Sequence, residues 1–144
     1  MRAAKMTVAE VEHLLAKEFP QAFHAQSGLT IEEVWDGGAR VRQSFQDGFI
    51  RPGGTISGPT MMALADFTFY VALLATIGAE PLAVTTNLNI NFLRKPERQD
   101  LVAKARMLKL GQRLAVMEVE IFSDGVEAPV AHVTSTYSIP PRRR

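Results

Sequence analysis

A nineteen-residue run without a polar face, Pro59 to Ile77, constrains this chain more than any other feature. It reads PTMMALADFTFYVALLATI, apolar or small nearly throughout. A helix that is apolar all round is either buried inside a domain or placed in a membrane, and about 20 residues suffice to span a bilayer. Asp66 decides between the two. A carboxylate near the centre of a span costs about 2.5–3.5 kcal/mol on insertion, and strand-like runs flank the segment on both sides. The run is therefore expected to be a buried central helix, with no membrane as partner. Its ends agree. Pro59 suits a first helical position, where no backbone N–H is needed, and Gly78 suits the residue after the last turn.

The surrounding chain supplies what such a helix must be buried against. Thr7-Val8-Ala9-Glu10 has capping-box spacing, and Val8, Val11, Leu14 and Leu15 recur at helical intervals until Pro20. An amphipathic helix is expected within residues 1–20. Leu29–Trp35 and Ala39–Phe45 read as strands joined by Asp36-Gly37-Gly38, a hairpin signal because glycine reaches positive φ without strain. Gln46 to Ser57 is glycine-rich, lacks a hydrophobic period and reads as a loop. After the long helix come four more strand-like runs, Ala83–Leu93, Asp100–Leu110, Leu114–Ser123 and Ala128–Ser138. Short turns between consecutive strands predict an antiparallel meander. The result is an α+β layout in one domain spanning residues 1–144, with residues 139–144 as a basic tail.

Composition narrows the function. Sixteen Lys+Arg against fifteen Asp+Glu give a net charge of +1, too little basic surplus for a general nucleic-acid binder. At 47% hydrophobic and 22% charged residues the chain can bury a core. There are no cysteines, which removes thiolate metal sites, disulfides and a cysteine nucleophile together. His13, His24 and His132 are isolated, with no H-x-x-x-H or H-E-x-x-H, so no metal is expected. No apolar segment follows the charged residues of Met1 to Lys5, so no secretory signal is read and the expected location is the cytoplasm.

Asp66 is the most informative single residue, the only side chain between Pro59 and Ile77 that carries a charge at neutral pH. A buried carboxylate must be hydrogen-bonded, protonated or open to a cavity. It is either a structural group bonded to backbone or a tyrosine, or a general base or nucleophile in a cleft. At the start of the same helix, Ser57-Gly58-Pro59-Thr60 offers unpaired N–H groups suited to a developing oxyanion or a phosphate, with simple capping by Ser57 as the other reading. In the run Val84 to Phe92, a period of two sets Val84, Leu88, Ile90 and Phe92 on one face. Thr85, Asn87, Asn89 and Asn91 fall on the other, toward solvent, an interface or a substrate channel. Arg94, Lys95, Arg98 and Arg142–Arg144 are solvated charge or contacts for ligand phosphates. Phe67 and Phe69 serve the core or an acyl pocket.

The run Ser57 to Asp66 resembles the H-G-G-x-x-x-x-L-x-D segment of hotdog-fold acyl-CoA thioesterases of the PaaI-like group, and Thr85 to Pro96 resembles that family's third-strand segment. The resemblance covers residues 28–138 and implies a hotdog fold, a long central helix wrapped by an antiparallel sheet. It implies hydrolysis of an acyl-CoA thioester without cofactor. Gly58 would supply the oxyanion N–H, Asp66 the catalytic carboxylate and Thr85 the hydroxyl that orients water. Ser57, Arg51, Pro59, Asn87, Arg94 and Lys95 would be substrate-binding. Ser57 stands where the family usually has histidine, Pro59 where it often has a second glycine, and Arg51 where relatives often place asparagine. The resemblance also implies a homodimer, often paired into a homotetramer. Helix geometry points the same way: eight residues at 1.5 Å separate Gly58 from Asp66 by about 12 Å, so two subunits would share each site. Two other readings stand beside hydrolysis. One is a catalytically silent protein that binds an acyl-thioester or aromatic ligand. The other, an enoyl-thioester hydratase, is disfavoured by the lack of histidine in the helix.

Overall fold

The computed structural model describes residues 2–141. Of the expected tail, residues 139–144, Arg142–Arg144 lie outside them. Ile139 belongs to the core instead, buried, with its N–H donating to the Arg113 carbonyl and its carbonyl accepting from Arg113 Nε. Helix α1, Val8–Glu18, begins with the predicted capping box: Glu10 N donates to Thr7 Oγ1 and Thr7 N donates to Glu10 Oε1. Val11 and Leu15, one turn apart, are its buried residues. Strands β1 (Leu29–Trp35) and β2 (Gly38–Gln43) form the expected hairpin, with Gly37 at φ 91°. A Cβ on the next residue, Gly38, would lie 2.3 Å from the Trp35 indole. The first position of β2 therefore needs glycine for space. The glycine-rich loop is more ordered than its composition suggests, with a 3₁₀ turn at Asp47–Phe49 and an Ile50–Ile56 bridge.

Helix α2, Gly58–Ile77, starts one residue earlier than read from Pro59. Of its most apolar window, 72% is buried inside the protein, which places it as a core helix. Strands β3 (Val84–Phe92), β4 (Leu101–Leu110), β5 (Leu114–Ser123) and β6 (Ala131–Ser138) complete one antiparallel sheet in the order β1-β2-β4-β5-β6-β3. The predicted meander holds only for β4 to β6. Strand β3 pairs with β6 instead of its successor, because β2 occupies the other side of β4. Alternation along β4, β5 and β6 turns Ala103, Met117, Val119, Ile121 and Val133 toward α2, all fully buried.

The two edges of the sheet differ. At β1 a bulge between Ile31 and Glu33 interrupts the ladder, and Glu32 and Glu33 pair with Arg40 and Arg42. Bulges and charges are how an edge resists further pairing. Strand β3 runs nine residues along the opposite edge, with Val84 58% and Phe92 51% exposed. Beside it α2 carries its one exposed stripe, Pro59, Met62 and Ala63 ahead of half-buried Asp66, spaced as one helical face.

Candidate active site

Asp66 sits in the middle of α2, half-buried, and lines a cleft of about 260 Å³ with Phe19, Tyr70, Pro81, Thr85 and Tyr137. Thr85 Oγ1 donates to Asp66 Oδ1 at 2.6 Å, and Tyr137 Oη donates to the same oxygen at 2.9 Å. Tyr137 Oη also lies 3.1 Å from the Asp66 carbonyl oxygen. The two readings of Asp66 thus coincide. It is bonded to a tyrosine, as a structural carboxylate would be, and it also opens onto a cleft.

Thr85 reaches Asp66 because strand β3 departs from a period of two. The register runs Thr85↔Tyr137 and then Asn87↔Thr136, so Thr86 is an inserted residue. Such a bulge re-aims the side chains on one side of it. Thr85 turns inward, onto the same side as partly buried Leu88 and Ile90, while Val84 turns out. The face assignment of Val84 and Thr85 from simple alternation is corrected accordingly. Asn87, Asn89 and Asn91 keep the predicted common face, but that face lies on the outside of the sheet. Asn89 Nδ2 donates to Asn87 Oδ1 at 2.9 Å, and Asn91 pairs across from half-exposed His132. The Asn87 side chain is therefore not brought to Asp66.

Gly58 is elsewhere. With Arg51, Met61, Phe92, Arg94 and Lys95 it lines a second cleft of about 460 Å³ that shares no residue with the first. As first residue of α2, Gly58 carries one of the N–H groups that a helix leaves without an internal partner. A Cβ there would meet the Phe92 ring at 3.0 Å, so glycine lets the two elements close up. Ser57 caps the helix: its Oγ accepts from Thr60 N at 3.4 Å and lies 2.8 Å from Thr60 Oγ1. The exposed Pro59 ring occupies the helical position after Gly58, and exposed Arg94 donates to the Pro129 carbonyl at 2.7 Å. Of the predicted residues, one chain unites Asp66 with Thr85, and separately Gly58 with Arg51, Arg94 and Lys95.

Tyr137 is the site residue that reading the sequence overlooked. Its signal lay in the alternation of β6, which turns Val133, Ser135 and Tyr137 inward, and a buried tyrosine hydroxyl needs a partner. Its ring stacks on Phe69 at 4.3 Å between centroids. Burial, and then the Asp66 charge, push its phenol well above the ordinary range. Tyr70 is pushed up more mildly by burial and by Glu18, and its hydroxyl donates to the Pro81 carbonyl at 2.7 Å. Phe69 is a core residue at 0% exposure. Phe67 is also buried, stacks on Phe23 and lines a separate groove with Ala22 and Phe49.

A long helix held by a single antiparallel sheet, with one carboxylate in its middle and a glycine at its start, is the architecture of a hotdog-fold protein. The family model of the thioesterase superfamily matches residues 53–130, and the chain belongs to that superfamily. A putative thioesterase from Silicibacter sp. TM1040 is similar in structure at TM-score 0.86, with 46% identity over 96% of this chain and 94% of that one. A variant of the phenylacetic acid degradation protein PaaI from Thermus thermophilus is 28% identical, covering 78% of this chain and 94% of its own, at TM-score 0.70. In sequence, a putative esterase of Saccharolobus solfataricus is 26% identical over 134 residues, 93% of this chain and 86% of that protein.

Proposed function

We propose that the protein hydrolyses an acyl-CoA thioester to the free acid and CoA, at sites shared between two subunits. The observation that carries this reading is Asp66, a carboxylate half-buried in a cleft with one oxygen held by Thr85 and Tyr137. Asp66 takes a proton from water while the water oxygen attacks the thioester carbonyl, whose π electrons move onto oxygen. The Gly58 N–H of the partner subunit stabilises that oxyanion. As the carbonyl reforms, the C–S bond breaks and the proton held by Asp66 passes to the departing sulfur. One water and one thioester become one acid and one thiol.

Two features support the dimer. The Gly58 and Asp66 clefts are separate within a chain, about 12 Å apart along α2 by helix rise, too far to serve one carbonyl. The open edge of β3 and the exposed α2 residues Pro59, Met62 and Ala63, on elements that meet where Phe92 packs against Gly58, offer unprotected surface to a second copy. Arg51, Arg94 and Lys95 around Gly58 supply positive charge for the phosphates of CoA.

Thiol release measured across short, long and aromatic acyl-CoAs tests the reading. Turnover on at least one class is expected. Saturable binding without thiol release across the whole panel would overturn hydrolysis and favour a silent acyl-thioester binder.

A further inference from the structure

Two hydroxyls converge on a single oxygen of Asp66. Thr85 Oγ1 and Tyr137 Oη both donate to Oδ1, and none of the hydrogen bonds among the described residues involves Oδ2. The tyrosine is the more tightly held of the two donors. It lies on β6 between β3 and β5, paired with Thr85 on one side and Ala115 on the other. Its ring stacks on Phe69 and on Tyr70 at 4.3 and 6.1 Å, and it is only 3% exposed. Thr85 sits beside a bulge, at the start of the edge strand.

We propose that Tyr137 is a positioning residue, fixing the Asp66 carboxylate through Oδ1 so that Oδ2 is the oxygen presented to water and thioester. This rests on the reading of Asp66 as the catalytic carboxylate. An Asp side chain turns about χ1 and χ2, and a lone threonine donor fixes one point of it. The phenol adds a second donor from the opposite strand, carried on a ring with no room to turn. With both donors on Oδ1, that oxygen's lone pairs are spent and the other remains available to accept a proton. Because burial and the neighbouring carboxylate hold the phenol well above its ordinary range, it stays a donor throughout the working pH range. The neighbouring Tyr70 has a different task, since its hydroxyl is taken by the Pro81 carbonyl.

Tyr137→Phe keeps the stacked ring and removes only the donor. The expected result is a fall in kcat of roughly ten- to a hundred-fold, the loss that displacing a reacting group by ~1 Å produces, with KM within about two-fold. In an Asp66→Asn background the same change is expected to cost nothing further, because residues that act through one another are not additive. Thr76→Val serves as control. It removes a buried hydroxyl that donates to the Ala72 carbonyl and accepts from Gly37 N, so it lowers stability and leaves kcat unchanged. Wild-type kcat in Tyr137→Phe, with Asp66→Asn inactive, overturns the inference and leaves the function standing. Retained activity in Asp66→Asn removes Asp66 as the catalytic carboxylate and the inference with it, while hydrolysis itself stands. Should Tyr137→Phe not fold, 4-fluorophenylalanine at position 137 fills the hydroxyl's space without donating. The same fall in kcat with KM unchanged is expected, and an unaltered kcat overturns the inference.

Discussion

Asp66→Asn preserves shape and most hydrogen bonds but cannot take a proton from water. Its expected effect is a loss of roughly 10²–10⁴-fold in kcat, the usual contribution of a general base, with Tm close to wild type by thermal melt. Thr85→Ala should cost less, since Tyr137 still donates to Oδ1. Equal or greater damage from Thr85→Ala would mean the two residues' roles are exchanged. The sequence carried Asp66 plainly, because a lone carboxylate in an apolar helix has to be explained by some partner or cavity. Its partners were harder to see. Thr85 is turned inward by an inserted residue that nothing in the run Thr85-Thr86-Asn87 marks. Tyr137 is 71 positions from Asp66, and only the pairing of β6 beside β3 brings them together.

The secondary-structure elements follow the local chemistry closely where signals are local. The capping box, the glycine turn of the hairpin and the ends of α2 all appear where their residues stand. The pairing of β3 with β6 was not legible, because strand order is a long-range property that short connections do not encode. The meander of β4, β5 and β6, which local signals did encode, builds an ion-pair cluster on its outer face. Arg106 and Glu118 stand opposite each other and form an ion pair, and His132 Nε2 lies 3.0 Å from Glu118 Oε2. His132, then Arg106, hold the Glu118 carboxyl below its ordinary value of 4.5. A carboxyl lowered by folding adds stability above its unfolded value, and that contribution is lost as the pH falls through the folded value. Glu118→Gln is therefore expected to lower Tm at neutral pH and to flatten the decline on acidification from 4.5 downward. Parallel Tm curves for wild type and Glu118→Gln between about pH 6 and pH 3 would contradict that linkage.

The whole protein has one protected sheet edge and one open edge, and its open edge lies beside the exposed stripe of α2. That asymmetry fits a molecule completed by its own copy across β3. A two-fold axis there gives each proposed site a Gly58 from one subunit and an Asp66 from the other, twice per dimer. The distance between the two residues could be estimated from helix rise alone, whereas the separateness of their clefts required the fold. Subunit mixing tests the shared site most directly. An inactive Asp66→Ala chain is combined with an inactive Gly58→Val chain and allowed to exchange. Random reassociation makes half the dimers mixed, and each mixed dimer holds one intact site of two, so about a quarter of wild-type activity is expected to return. No recovery, with exchange verified by differently tagged chains, would mean that each site is built within a single chain.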